Sequence, residues 1–334
     1  MKFAVFGAGR MGERHVANVA AHENAALAYV VNPNFERAKR LADRYGATAC
    51  AGPEQPLADR TVDAVIIAST TSTHVDLITA AARAGKAILC EKPIDLDMAR
   101  VKACAETIAN HNVPIMIGFQ RRFDPTHKAV KQAVEGGEVG QIEVISIVSR
   151  DPEPPPLAYI RNSGGQIHDQ MIHDFDMALW ISGATGRVEV FAMASSLIDS
   201  NIGRLGDSDI AQVLLRFESG AFCRIDCSRR CVYGHDQRVE VFGSKGMVSS
   251  GNVSQSAIER FTSSLTSARD PLLYDFMQRY SHAYALELDA FIKGVSSGLK
   301  LNPSFEAGSR ALQLADAART SIQRQAPVRV DIGE

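Results

Sequence analysis

The short apolar run 2–6 closes at once on Gly7-Ala8-Gly9-Arg10-Met11-Gly12, and a helical pattern then continues to about residue 21. A strand, a glycine turn and a helix in that order leave few folds open. Gly7 suits a tight turn, Gly9 the close approach of backbone to a pyrophosphate, and Gly12 the packing of helix on strand. Phosphates bind at the N-terminus of such a helix, where unpaired N–H groups and the helix dipole favour negative charge. Arg10 and Met11 lie on the same turn and join the glycines as candidate dinucleotide contacts. Glycine turns are common, so the motif alone is weak; the strand before it and the helix after it make it specific.

The alternation continues. A second strand, 26–31, ends at Asn32, twenty residues past Gly12, where the fingerprint expects an acid to hold the adenosine ribose. An amide still hydrogen-bonds a ribose hydroxyl but does not repel a 2′-phosphate. NAD is the expected cofactor and NADP stays open, with Arg10 and Arg37 read either as cations for a 2′-phosphate or as solvated surface arginines. Helix 34–45 ends at Gly46, and strand 62–68 reaches the polar loop Ser69-Thr70-Thr71-Ser72-Thr73. Helix 74–84 ends at Gly85, strand 87–90 runs into Glu91-Lys92-Pro93, helix 97–111 follows, and strand 114–117 ends at Gly118. Short strands alternating with helices of this length predict an α/β fold with a doubly wound parallel sheet, here a dinucleotide-binding domain over 1–120. Ligands bind beyond the carboxyl ends of such strands, so Ser69, Thr70, His74, Glu91, Lys92 and Gln120 share one rim. Pro93 holds Lys92 extended and suits a cis bond. A lysine aimed into a cofactor crevice stabilises charge developing on a reacting oxygen; the plain alternative is a surface lysine at a strand end.

Beyond residue 120 the pattern changes. After a helix to about 135, alternating stretches at 142–148, 188–196, 209–217, 221–231 and 238–242 predict antiparallel strands. One face of such a sheet packs on helices and the other needs a partner, which predicts a homo-oligomer. The segment Asp151-Pro152-Glu153-Pro154-Pro155-Pro156 reads as a stiff loop, because proline lacks the donor that helix and central strand need. Helices over 272–293 and 305–321 are expected to buttress the interface between the 1–120 domain and a 121–334 domain for substrate binding and oligomerisation.

The densest chemistry lies in His168-Asp169-Gln170-Met171-Ile172-His173-Asp174-Phe175-Asp176. On a regular α-helix Asp169, His173 and Asp176 fall at i, i+4 and i+7 on one face, and His168 points away. Two readings stand, a metal site and an acid/base helix. In the second, a base poised near neutral pH favours histidine, with Asp169 and His173 the facing pair and Asp176, one turn on, a residue that supports the pair or packs the helix. A metal reading requires ligands that converge on one point, and no metal is expected. Of the six cysteines, Cys223, Cys227 and Cys231 are spaced by four, on one face of a strand; without a CxxC pair they read as buried thiols in a reducing compartment. A net charge of −2 gives no electrostatic case for nucleic acid or an anionic membrane. No apolar run reaches membrane-spanning length and the N-terminus lacks signal-peptide regions, so a cytoplasmic protein acting on a small ligand is expected.

Together, Gly7 to Gly12, Glu91-Lys92-Pro93, Gly118-Phe119-Gln120-Arg121-Arg122-Phe123-Asp124 and the 168–176 stretch resemble the glucose-fructose oxidoreductase, inositol dehydrogenase and rhizopine catabolism (Gfo/Idh/MocA) family over nearly the whole chain. Asp169 to Asp176, Tyr233-Gly234-His235-Asp236-Gln237-Arg238 and Gly243-Ser244-Lys245-Gly246 look most like its inositol 2-dehydrogenase branch. The resemblance implies an N-terminal Rossmann domain, a C-terminal domain on an open, mostly antiparallel sheet, and assembly through that sheet into dimers or tetramers. It places the catalytic lysine on Lys92, the Asp-x-x-x-His pair on Asp169 and His173, and the substrate hydroxyls near Gln120 and Arg121. It implies NAD(P)-dependent oxidation of a secondary hydroxyl of a cyclitol or sugar, above all myo-inositol to 2-keto-myo-inositol. Asn32 replaces the usual acid, Thr70 a common proline, and His235 a tyrosine frequent in inositol dehydrogenases at a substrate position, which leaves cofactor choice and the particular polyol open. Another inositol isomer or an aldopyranose is the alternative substrate. A non-catalytic dinucleotide-binding regulator is the alternative of another class, and it would not need Lys92, Asp169 and His173 together.

Overall fold

The strands expected from the N-terminal alternation pair in parallel in the computed structural model, which describes residues 1–333. They are β1 (Lys2–Phe6), β2 (Ala26–Val31), β3 (Thr48–Cys50), β4 (Ala64–Ile67), β5 (Ala87–Glu91) and β6 (Ile115–Gly118), ordered β3-β2-β1-β4-β5-β6. Every residue of β4 and β5 is buried, as in a sheet covered by helices on both faces. The covering helices include α1 (Arg10–Ala21), α2 (Phe35–Tyr45), α3 (His74–Arg83) and α4 (Met98–His111). Asn34 caps α2 by accepting from Arg37 N–H, Gly46 ends it in the left-handed region at φ 68°, and Asp97 caps α4. The edge strand β3 was not expected, since three residues carry no readable period.

This unit comprises Met1–Gln120 together with Tyr284–Leu312. The later segment packs into the same core: the Phe291 ring lies 6.1 Å from that of Phe3. Gly308 sits so close to β6 and the loop after β5 that a Cβ there would lie 2.7 Å from Ile94 Cδ1.

The second unit comprises Arg121–Ala283 and the residues from Gln313 onward. Its main sheet contains β7 (Ile142–Arg150), β8 (Arg187–Ser195), β9 (Ile210–Phe217), β10 (Phe222–Ser228), β11 (Asp236–Gly243) and β12 (Gly246–Ser250). A small hairpin, β13 (Glu259–Arg260) with β14 (Ala268–Arg269), stands apart, and β15 (Val328–Asp331) completes the main sheet in the order β12-β11-β7-β10-β9-β8-β15. All neighbours are antiparallel except β7 and β10. One face is buried. The other exposes Phe222, Phe242 and Met247, and the register sets Phe222 beside Val144, Val144 beside Phe242 and Phe242 beside Met247. Helices α5 (Pro125–Glu135) and α6 (Ile172–Ser182) belong to this unit. No helix among the described residues is long and apolar enough to cross a membrane.

Two local expectations need correction, and one element was not expected. Helix 272–293 does not start at Leu272, which bridges Ser254 in extended conformation; Asp275 caps a short turn Phe276–Arg279, and a separate helix runs Ser281–Ser297. Cys223 and Cys227 share the buried face of β10, but the strand ends at Ser228 and Cys231 lies beyond it; all six cysteines are buried free thiols. The proline loop leads directly into an unexpected helix, Leu157–Ser163.

Candidate functional site

In the first unit the three glycines differ in what fixes them. A Cβ on Gly7, which has φ +120°, would lie 2.3 Å from Ala68 O, and one on Gly12 would lie 2.1 Å from Gly7 O. Packing therefore demands both. Gly9 has nothing within 4 Å of its Cβ position, and as N-cap of α1 it supplies no side-chain cap. The first-turn N–H groups thus face an open approach that a side chain would fill, which fits a dinucleotide pyrophosphate. Arg10 is exposed and Met11 half-buried on the same turn. Asn32 is half-buried, and its Oδ1 accepts from Asn34 N–H at 2.9 Å, so what it offers a ligand is its Nδ2 donors.

The rim expected beyond β4 and β5 is tied together by hydrogen bonds from the Thr73 and His74 side chains. Ser69 Oγ and Thr73 Oγ1 are 2.7 Å apart, and Thr73 Oγ1 donates to Thr70 O. His74 is buried, with Nδ1 2.8 Å from Pro93 O and Nε2 3.2 Å from Ser69 O. Burial pushes its pKa down, so the ring is neutral with one N–H, and the shorter contact takes it. His74 thereby braces the Ser69–Thr73 loop against the Lys92–Pro93 turn, whose peptide bond is cis. Glu91 is buried and its Oε1 lies 2.7 Å from Nε2 of His15, a residue of α1. Lys92 is half-buried at the end of β5. Gln120 is buried, with an Oε1 that lacks a hydrogen-bond partner among the described residues.

In the second unit the 168–176 stretch is not one regular helix. Residues Gln166–Gln170 form a π-type turn, closed by Met171 N–H on Gln166 C=O at 3.0 Å, and α6 begins only at Ile172. The face drawn through Asp169, His173 and Asp176 from a 3.6-residue period is therefore interrupted between the first two. Gly164 (φ 90°) and Gly165 (φ 77°) break the preceding helix. Asp207 then fixes the wider turn by accepting from Gln166 N–H at 2.9 Å while pairing with the buried Arg229 at 2.7 Å, and Ser208 Oγ donates to Gln166 Oε1. Asp169, half-buried, accepts from Tyr159 Oη at 3.1 Å, and His173 is buried. Tyr159 comes from the helix after the proline loop, a contact no local pattern reveals.

The other members of the stretch have structural partners. His168 Nε2 lies 2.8 Å from Asp316 Oδ1. Asp176 takes a two-pronged pair from Arg122, at 2.9 and 2.5 Å. Asp174, wholly buried, receives Arg121 at 2.6 Å, and Arg121 also donates to Ser149 Oγ at 3.3 Å. Burial pushes both carboxyls up, and the neighbouring arginines offset this only in part. His235 is buried edge-on to Tyr280, ring centroids 5.9 Å apart. Its Nδ1 lies 3.3 Å from Asp151 Oδ1 without hydrogen-bond alignment, and Nε2 has no hydrogen-bond partner among the described residues. His127, buried against Tyr280, is pushed down to about 3, and burial raises Tyr280 to about 12. Among the described residues no group of three or more His, Cys, Asp or Glu is placed to hold a metal ion.

Known proteins resemble this chain from end to end. Residues 1–119 match the oxidoreductase family with an NAD-binding Rossmann fold (GFO/IDH/MocA), and residues 127–249 match the GFO/IDH/MocA C-terminal domain. The inositol 2-dehydrogenase of Rhizobium meliloti is 43% identical over 99% of both chains. The myo-inositol 2-dehydrogenase of Thermotoga maritima is 42% identical, again over 99% of each. The crystal structure of a myo-inositol dehydrogenase from Corynebacterium glutamicum superposes with a TM-score of 0.94 at 42% identity, covering 99% of each chain.

Proposed function

This chain belongs to the GFO/IDH/MocA family of NAD-binding oxidoreductases, and from that membership we propose that it oxidises the 2-hydroxyl of myo-inositol to the ketone, 2-keto-myo-inositol. The observation that carries the reading is full-length likeness to two inositol dehydrogenases in a chain that keeps Lys92, Asp169 and His173 together. NAD, when bound, supplies the hydride acceptor. The Gly7–Gly12 turn and the first turn of α1 bind its pyrophosphate, Asn32 donates to its ribose, and Arg10, Met11, Ser69, Thr70, His74 and Glu91 shape the rest of the nucleotide rim.

His173 takes the hydroxyl proton on a ring nitrogen, and Asp169 orients and charges that ring. The Lys92 ammonium donates to the reacting oxygen and stabilises its alkoxide character. Gln120, with its unpartnered buried Oε1, Arg121 and His235, with its unpartnered Nε2, receive the remaining hydroxyls. In this reading the unit of Met1–Gln120 with Tyr284–Leu312 is the nucleotide domain, in place of the continuous 1–120 expected, and Arg121–Ala283 with the residues from Gln313 onward, rather than all of 121–334, is the substrate-binding and oligomerisation domain. The row of exposed Phe222, Phe242 and Met247 with the half-buried Val144 between them supports pairing with a second copy, here as part of a homotetramer. A cytoplasmic location and a role in carbohydrate catabolism belong to the same proposal.

The test is absorbance at the reduced-nicotinamide band with NAD and with NADP, against a panel of inositols and pyranoses. Lys92→Ala and His173→Ala should each lower kcat on myo-inositol by roughly 100- to 10,000-fold while NAD still binds. Unchanged turnover in Lys92→Ala refutes the assignment.

A further inference from the structure

Two buried acids, Glu91 and Glu287, belong to the first unit. Glu91 is the last residue of β5, held by His15 Nε2 at 2.7 Å. Gly118 makes room for it: a Cβ there would lie 3.2 Å from Glu91 Oε2. Glu287, on helix Ser281–Ser297, is 0% exposed, and neither of its carboxyl oxygens has a hydrogen-bond partner among the described residues. Tyr284, one turn earlier on the same helix face, meets the His15 ring edge-on at 6.0 Å, so this face lies over the His15–Glu91 pair.

A lone carboxylate in that position would be strongly disfavoured, and such a group takes up a proton instead. Burial first, then the charge of Glu91, pushes Glu287 well above the usual carboxylate range. Two carboxylates are acceptors only, so facing acids bond when one carries a proton. We propose that Glu287 works as a neutral acid whose hydrogen bond to Glu91, with the one from His15, positions the Glu91-Lys92-Pro93 turn and links it to α1. The inference rests on the reading of Lys92 as catalytic. Glu287, Glu91 and His15 are then positioning residues. Since α1 begins at the dinucleotide turn, they tie the nucleotide helix to the lysine.

Three variants of the full-length enzyme test it: Glu287→Gln, Glu287→Leu and His15→Phe. Gln keeps a donor and should hold kcat to within about twofold. Leu removes the buried carboxyl but takes one hydrogen bond from the buried Glu91, so Tm should shift by no more than a few degrees, while kcat drops roughly 10- to 100-fold from misplacement of Lys92. KM for myo-inositol and NAD affinity should stay within about twofold of the parent in both. His15→Phe should repeat the kcat loss. If Glu287→Leu does not fold, the contrast between Glu287→Gln and His15→Phe decides. Wild-type kcat in Glu287→Leu, or equal losses in Glu287→Gln and Glu287→Leu, overturns the proposal. Lys92→Ala separates the two readings: an active Lys92→Ala removes the catalytic assignment itself, whereas an inactive one beside a fully active Glu287→Leu removes only the role of Glu287.

Discussion

Arg121 has been given a substrate role, yet its guanidinium is already committed to Asp174 at 2.6 Å, with Asp174 wholly buried. Replacing Arg121 by Met strands that acid. Breaking a buried pair by removing one partner costs about 3–5 kcal/mol, because the remaining charge is left uncompensated. At about 2–4 °C per kcal/mol for a unit of this size, Tm should fall by roughly 10 °C. The pair is itself imperfect: Arg121 Nε and Asp174 Oδ2 have no hydrogen-bond partner among the described residues. Arg121→Met with Asp174→Leu should therefore recover stability to within about 1–2 kcal/mol of the parent, as apolar replacement of buried ion pairs does elsewhere. Ser149 Oγ loses one contact and keeps Gln237. Urea denaturation of the parent, both single variants and the double variant gives the coupling energy. Steady-state kinetics on the stable double variant then isolate the substrate role: a raised KM for myo-inositol shows that Arg121 also touches substrate, and full activity shows a brace only. A double variant as unstable as Arg121→Met would refute the claim that the stranded charge is the source of the loss.

Other expectations follow from single contacts. Gly9→Ala should fold with stability within about 0.5 kcal/mol of the parent but bind NAD more weakly in titration calorimetry. Gly12→Ala, whose Cβ would lie 2.1 Å from Gly7 O, should lower Tm as well. Burial holds His127 at about 3 against an ordinary 6.5, so the folded protein refuses a proton that the unfolded chain accepts. That contribution is complete above pH 6.5 and is lost as pH falls toward 3; about 2 kcal/mol should be gone by pH 5. His127→Gln should therefore lose less stability than the parent between pH 7.5 and pH 5, measured by chemical denaturation, and parallel losses would refute it. His168→Gln removes the bond to Asp316 and should cost about 1–2 kcal/mol while leaving kcat unchanged.

The first unit was legible because fully buried parallel strands are continuous apolar runs and their helices carry caps such as Asn34, Asp97 and Gly46. The strand β3 was not, being too short to show a period. Within the site, Lys92 and His74 could be placed on a rim from strand ends alone. The phase of Asp169 against His173 could not, because counting at 3.6 residues per turn presumes an unbroken helix. Gly164-Gly165 was the only local hint of the π-type turn, and Asp207, Ser208 and Arg229, which fix it, lie far along the chain. The same holds for Arg121 and Arg122, whose acid partners are more than fifty residues away. Glu287 sits in a helical pattern beside Tyr284 and Leu288, which says nothing of a second acid. Its meaning comes from what surrounds it, and sequence order does not encode that.

Both units are discontinuous in the chain. The first needs Tyr284–Leu312, which bring Phe291 to Phe3 and Gly308 to Ile94, and the second needs β15 to finish the sheet beside β8. A ribosome that has made residues 1–283 has supplied neither unit complete. During synthesis the nucleotide-binding strands therefore wait, with one side of their core uncovered, for segments translated seconds later. Neither half is a genetic module, and a fragment ending at Gln120 should be a client for chaperones rather than a free-standing dinucleotide-binding domain.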